Sequence, residues 1–272
     1  MSTAGDPSEL RSLAERIAVE AGTLALEGRS AFGPGKIRHD TKSTATDPVT
    51  EYDRAAERLL VDRLRAECPD DAIVGEEGTG IDGTSGRSWY LDPIDGTANF
   101  VYGLPGWCTS VGVLDADGGL AGAVYAPVSG ELFSAARGLG ATLDGEPITS
   151  SDCTDLSDAM VATGFAYQPA LRRAQAVRLA RLIDRVRDVR RGGSAAIDLC
   201  LVACGRVDAY YESHLNPWDV AAGLLIAAEA GATTRHHRGD ATTASFTVAA
   251  APAIHAALLD ALGGALPDDR SH

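Results

Sequence analysis

Two carboxylates three residues apart, Asp92 and Asp95, end the aromatic, apolar run of WYLDPIDGTANF (89–100). Glu76-Glu77 follows the apolar AIVG (72–75) in the same way, and Asp219 stands at the head of the apolar segment PWDVAAGLLIAAEAGA (217–232). A carboxylate leaving a buried strand is costly unless something pairs with it. Bases are few nearby, with Arg87 the only one between residues 66 and 136. Divalent cations solve the problem, and Mg²⁺ suits it best because it takes hard oxygen ligands. Pro93 removes a backbone donor and fixes the turn, so both acids converge while the Ile94 carbonyl faces the ion. Gly96 and Thr97 then read as the start of a short helix, whose N–H groups and dipole form an anion site. Glycine there lets a phosphate approach the backbone. Metal ligands beside a phosphate cradle imply phosphoryl chemistry, with ions clamping the attacking and leaving oxygens. Taken singly, each acid has a bland explanation: Asp95 a helix N-cap, Asp92 a turn residue, Asp219 a first-turn dipole acid. Only the combination points to metal.

Other chemistries find less support. Cys68, Cys108, Cys153, Cys200 and Cys204 are scattered, and the Cys200/Cys204 spacing has no second pair to complete a zinc site. They read as core thiols. The CX₅R spacing occurs once, from Cys200 to Arg206, but CLVACGR reads as part of a buried small-residue helix rather than a thiol-phosphatase loop. His39, His214, His236 and His237 lack the context of a catalytic triad, and His236-His237 read as a solvated polar turn. Asp115 and Asp117 form an Asp-x-Asp but run into Gly118-Gly119, which reads as a hairpin tip.

The elements that must carry these residues alternate along the chain. Leu10, Leu13, Ile17, Ala21 and Leu24 form one stripe of a helix over 8–28. Residues 32–48 read as a loop or loose hairpin. Thr50-Glu-Tyr-Asp53 resembles a capping box opening a helix to about Cys68. Strands are expected at 72–77 and 88–95, then in an antiparallel series between 109 and 136. The second half reads as strand (158–165), Arg-rich helix (169–186), small-residue helix (193–205), strand (207–212), apolar helix (217–232), strand (245–251) and a last helix (252–262). With 272 residues, the chain suits one domain of two lobes, about 1–150 and 151–272. A net charge of −14 argues against a nucleic-acid surface. No apolar stretch reaches the length of a membrane span. The opening MSTAGDPSELRSLAERIA has acids where a signal peptide needs bases. The protein is read as cytoplasmic. Only Lys36 and Lys42 are lysines among 24 bases, which draws notice to Lys42.

GEEG (75–78), WYLDPIDGTANF and NPWDVAAGLLIAAEAGA (216–232) together resemble the signature blocks of the inositol monophosphatase family, in its order and spacing. KSTATDPVTEYD (42–53) is similar to the family's mobile loop, and RRGGSAAIDLCLVACGRVDAYYE (190–212) to its substrate segment. The resemblance covers most of the chain. It implies a layered α-β-α-β-α sandwich, with an antiparallel sheet in the N-terminal lobe and a mixed sheet in the other. It also implies two or three Mg²⁺ ions and lithium sensitivity. Carried over residue by residue, Glu76, Asp92 and the Ile94 carbonyl would hold one ion. Asp92, Asp95 and Asp219 would hold a second, and Glu76 with water a weaker third. Thr97 and Asp53 would orient and deprotonate a water. The Gly96 and Thr97 amides would grip phosphate. Asp95, Glu212 and the backbone of Gly193, Ser194 and Ala195 would meet substrate hydroxyls, with Lys42 on the mobile loop. Ala98 and Pro217 depart from the commoner family residues without touching this chemistry.

The YYE and WDVAAG blocks look most like the inositol branch, which implies hydrolysis of myo-inositol monophosphate. Histidinol phosphate and fructose 1,6-bisphosphate are the alternatives; a nucleotide would want an aromatic or arginine shelf that the sequence does not offer. Some bacterial relatives are RNA- or polymerase-associated. Here the candidate surface would be Arg172, Arg173, Arg178, Arg181, Arg185, Arg187, Arg190 and Arg191. Helical spacing spreads these over several faces, so pairing with acids or a subunit contact is the expectation. The family resemblance implies a homodimer.

Overall fold

The computed structural model describes residues 5–33, 35–42, 48–239 and 245–263. Helix α1 (Pro7–Ser30) starts with Asp6 accepting the Ser8 N–H and Pro7 at its first position, and buries Leu10, Leu13, Ile17 and Ala21 of the expected stripe, with Leu24 half-buried. A two-stranded antiparallel ribbon, β1 (Asp40–Thr41) and β2 (Pro48–Val49), occupies the expected loose hairpin; its connection, 43–47, lies outside the described residues. Helix α2 (Glu51–Glu67) opens on the Thr50–Asp53 capping box. There follow β3 (Ala72–Gly75), β4 (Gly80–Ile81), β5 (Ser88–Asp95), helix α3 (Thr97–Tyr102), β6 (Cys108–Asp115), β7 (Gly118–Ala126), β8 (Glu131–Ala136), β9 (Ala141–Leu143) and β10 (Glu146–Pro147). Beyond them run β11 (Met160–Thr163), α4 (Pro169–Leu182), β12 (Asp188–Arg190), α5 (Ala195–Ala203), β13 (Ala209–Ser213), α6 (Pro217–Glu229), β14 (Thr233–His237), β15 (Phe246–Ala250) and α7 (His255–Ala261). Ends differ from the sequence reading by a few residues, as fraying ends do.

The larger sheet has the order β10-β9-β8-β7-β6-β5-β3-β4, and the smaller β12-β11-β13-β15-β14. The smaller sheet is mixed, as expected. The larger one is not purely antiparallel, which corrects the expectation: β3 and β5 run parallel. The two-residue β4 folds back on the outer edge of β3, so the chain re-enters the sheet in the direction β3 had. This matters for the site. With Gly75 opposite Leu91, Glu76 and Asp92 leave the same end of the sheet side by side.

Strand alternation sorts the side chains into three cores. Val111, Val113, Ala121 and Ala123 face Leu10, Ile17 and Leu60 of α1 and α2. Val124, Ala126 and Phe133 on the other face meet α5, α6 and the second sheet. Beyond that sheet, Val161, Tyr211 and Val248 pack with Leu182 of α4 and Leu258 of α7. The result is the five-layer α-β-α-β-α sandwich. Helix α6 lies close on the large sheet because Gly112 and Gly122, paired across β6 and β7, leave it room. A Cβ at Gly112 would stand 2.8 Å from the Ala222 nitrogen.

One local reading is corrected. His236 and His237 are not in a solvated turn but in β14, half-buried, with His236 Nδ1 2.9 Å from Thr247 Oγ1 on β15. A polar edge strand, TTRHH, carries no apolar alternation to betray it. Burial, with Arg238 and His237 adding to it, lowers the His236 pKa to about 4.

Candidate active site

Three separated segments deliver four acids to one cleft. Glu76, Asp92, Asp95 and Asp219 all line a cavity of about 500 Å³, together with Lys42, the Ile94 backbone region, Gly96, Thr97, Gly193, Ala195 and Glu212. Asp53 and Ser194 stand behind the wall, buried, and act on the site through Thr97 and Asp95.

Local structure fixes each acid. Asp92 accepts the Ile94 N–H at 3.1 Å, closing the turn around Pro93. The β5–β6 register slips between Asp92 and Asp95, so the strand bulges there and Asp95 swings toward α5. Its Oδ2 accepts Ser194 Oγ and the Ala196 N–H, both at 2.7 Å. Asp95 therefore does cap a helix, but that helix is α5 rather than its own, and the contact ties β5 to α5. Asp219 is the third residue of α6, and its Oδ2 accepts the Asn216 N–H at 2.7 Å. One oxygen of each of these three aspartates is thus spent on backbone geometry.

On the other wall, the capping box does double duty. Asp53 Oδ2 accepts the N–H and hydroxyl of Thr50, and Oδ1 lies 3.3 Å from Thr97 Oγ1. Thr97 Oγ1 is also 3.0 Å from the Ile94 carbonyl. One hydroxyl proton has two acceptors to choose between. Glu212 is held by Tyr210, whose hydroxyl donates at 2.8 Å. It lies against Gly164, where a Cβ would meet its carboxylate at 2.0 Å.

Concentrating acids out of water perturbs them strongly. Burial is the leading cause in every case. It raises Asp53 and Asp95 to about 6 and Glu212 to about 7. Asp92 and Asp219 are pushed well above the usual range, first by burial and then by their acidic neighbours. Glu76 is raised by burial against the pull of Lys42. Lys42 is the cation paired with the acids after β3, with its ammonium 2.8 Å from Glu76 and 2.5 Å from Glu77. Burial alone would lower the Lys42 pKa, but these two acids outweigh it and raise it.

This donor set fits Mg²⁺. The second oxygen of Glu76 is buried and receives no hydrogen bond, while its neighbour is the Asp92 carboxyl. The donors are hard oxygens, and Lys42 with Arg191 is too little positive charge for five carboxylates. Among the described residues no three His, Cys, Asp or Glu side chains close on a single point. An ion shared by Asp92, Asp95 and Asp219 would have to draw these three carboxylates closer, with water and substrate phosphate filling its other positions.

The far wall of the cleft was not foreseen. Gly164, Phe165, Ala166, Tyr167 and Gln168, between β11 and α4, line it with Arg191. Their signal was a Gly- and Pro-punctuated turn after a parallel strand, where α/β proteins place ligands. The arginines of 172–191 disperse largely as expected. Arg178 covers the Phe246 ring, and Arg185, Arg187 and Arg190 pair with Asp260, Asp158 and Asp188. No helix among the described residues is long and apolar enough to cross a membrane.

Comparison with known proteins agrees. The model of the Inositol monophosphatase family matches residues 6–266. An inositol-1-monophosphatase of Mycobacterium leprae (strain TN) is 48% identical, with 94% of each chain covered. The solved structure of Mycobacterium tuberculosis SuhB superposes with a TM-score of 0.81 at 43% identity, covering 96% of this chain and 99% of that one. A Nus factor SuhB of Pasteurella multocida (strain Pm70) is 37% identical over 95% of this chain and 97% of its own.

Proposed function

The chain belongs to the inositol monophosphatase family, and on that premise we propose that this phosphatase hydrolyses myo-inositol monophosphate with the help of Mg²⁺. The observation that carries the reading is the meeting of Glu76, Asp92, Asp95 and Asp219 in one cleft with Thr97. Glu76, Asp92 and the Ile94 carbonyl would hold one ion, and Asp92, Asp95 and Asp219 a second; Glu76 with water would complete a weaker third. Bound Mg²⁺ supplies an acidified water and neutralises charge on the phosphoryl group.

The chain's own residues do the rest. Thr97 Oγ1 accepts a proton from the attacking water as it passes its own to Asp53 Oδ1. Burial has raised Asp53 to about 6, which suits a base working near neutral pH. The water oxygen bonds to phosphorus, the ester bond breaks on the opposite side, and the alcohol leaves with a proton from solvent. The Gly96 and Thr97 amides cradle the phosphate; Gly96 has φ +94, and a Cβ there would stand 2.7 Å from the Gly106 carbonyl. Asp95, Glu212 and the Gly193–Ala195 backbone meet the hydroxyls of the ring. A site that spends buried polar groups on hydroxyls rejects substrates that lack them. This favours a cyclitol over histidinol phosphate.

The relative named as a Nus factor raises RNA-associated binding as a second reading. The dispersed, acid-paired arginines favour the enzyme. The deciding experiment is a phosphate-release panel with inositol 1-phosphate, histidinol phosphate, fructose 1,6-bisphosphate and 3′-phosphoadenosine 5′-phosphate, with and without Mg²⁺ and Li⁺. Inositol 1-phosphate turnover that needs Mg²⁺ and falls with Li⁺ upholds the proposal. Salt-sensitive RNA retention without turnover would replace it. A homodimer is part of the same proposal and is tested by light scattering.

A further inference from the structure

Glu57 lies outside every element of that chemistry, yet it is 4% exposed and carries a carboxylate into the protein beneath the acid pair Glu76-Glu77. It sits on α2 four residues after Asp53, so the two acids share one helix face. Asp53 reaches Thr97 on one side of the cleft. Glu57 reaches the turn that follows β3 on the other. Its Oε2 accepts the Glu77 N–H at 2.7 Å. Its Oε1 accepts the Thr79 N–H at 3.1 Å and the Thr79 hydroxyl at 2.6 Å. All three donors belong to residues 77–79, the turn that directly follows the metal-site acid Glu76. The turn is otherwise closed by the Gly75 N–H on the Thr79 carbonyl, at 2.8 Å, and tied to β5 by the Glu76 N–H on Leu91.

Gly75 completes the device. A Cβ at that position would stand 2.5 Å from the Glu57 carboxyl carbon and 2.5 Å from its Oε2. Gly75 lies in the strand, with no left-handed backbone to require glycine, so the space it leaves is space for Glu57. The carboxylate is also chemically specific. Both oxygens must accept, and an amide at this position turns an NH₂ toward a backbone N–H.

We propose that Glu57 is a positioning residue, which aims Glu76 at Asp92 by holding the 77–79 turn, and that Gly75 is glycine to admit it. This rests on the reading of the site as a Mg²⁺ centre. It follows that one helix sets both the proton-accepting wall and one metal-binding wall, so their spacing is fixed by a single turn of α2.

The test measures Mg²⁺ affinity by calorimetry on wild type, E57Q, E57A, T79V, G75A and E57A/G75A, with folding checked by circular dichroism and turnover followed as a second readout. Groups that orient metal ligands are typically worth 10–100-fold in affinity. E57Q and G75A are expected to weaken Mg²⁺ binding about tenfold or more, with kcat returning toward wild type at high Mg²⁺ and substrate KM little changed. T79V should lose less, because only one of the three donors goes. G75A should add little to E57A, since the side chain it collides with is already gone. Folded E57Q with wild-type affinity overturns the proposal, as does a G75A defect undiminished in the E57A background. If E57Q, T79V and G75A all fail to fold at any Mg²⁺ concentration, Glu57 serves folding rather than positioning, and the proposal also falls. Wild type that binds no Mg²⁺ would instead refute the metal-centre reading itself.

Discussion

Asp53→Asn separates the two jobs of the Thr50–Asp53 capping box. In the native site, Asp53 Oδ2 accepts both hydrogens from Thr50 and Oδ1 faces Thr97 Oγ1. An asparagine keeps an oxygen for Thr50 and turns its NH₂ toward Thr97. The Thr97 hydroxyl then accepts that hydrogen and sends its own proton to Ile94, 3.0 Å away. Nothing remains to take a proton from Thr97. General-base assistance is worth about 10²–10⁴ in rate, or about 2.7–5.4 kcal/mol of barrier. The fold loses little, since the capping oxygen survives. Thr50→Ala is the mirror experiment. It removes the cap, costs about 1–2 kcal/mol of stability, and leaves Oδ1 on Thr97. Steady-state phosphate release and thermal melts on both variants make the comparison. D53N should lose at least a hundredfold in kcat with a modest change in Tm, and T50A should lose stability with kcat within a few-fold. D53N with kcat within threefold of wild type would refute the proton path.

Other outcomes follow from the same geometry. Asp53, Asp95 and Glu212 have folded pKa values raised above their ordinary ones. Between about pH 4 and 7 the native state therefore holds protons that the unfolded chain has released, and stability falls as pH rises through that window. Melts in EDTA should give a lower Tm at pH 8 than at pH 5, by roughly 5 °C or more, and Mg²⁺ should reverse the order. His236 works the opposite way. Its pKa is lowered to about 4, so its stability contribution is present above its ordinary pKa and is lost as pH falls through the folded value. His236→Gln should flatten acid denaturation in that range by about 1–2 kcal/mol. Gly112→Ala would drive a methyl to 2.8 Å from the Ala222 nitrogen and lift α6 from the sheet. It should cost about 1–3 kcal/mol in denaturant melts and weaken Mg²⁺ binding, because Asp219 rides on that helix.

What the sequence disclosed was mostly local. The Thr50–Asp53 cap, the α1 stripe and the acids ending 72–77 and 88–95 each declare themselves within a few residues. The family resemblance then assigned roles to residues that pattern alone left open, Glu212 and Gly193 among them. What stayed hidden depends on long-range pairing. The parallel β3–β5 contact follows from a two-residue β4 with almost no signal of its own. Asp95 looked like a cap for its own helix because its true partners, Ser194 and Ala196, lie about a hundred residues away. Glu57 gave no signal at all, since its three donors belong to a turn twenty residues downstream. His236 lost its strand signal to polarity at a sheet edge.

The central claim is that four acids from three stretches of chain hold divalent cations beside an anion cradle. Crystals grown with Mn²⁺ and phosphate, measured for anomalous scattering at the manganese edge, test it most directly. The account predicts anomalous peaks within bonding distance of Asp92, shared on one side with Glu76 and on the other with Asp95 and Asp219, and phosphate on the Gly96 and Thr97 amides. A cleft without manganese at saturating concentration, or ions bound away from Asp92, would contradict it.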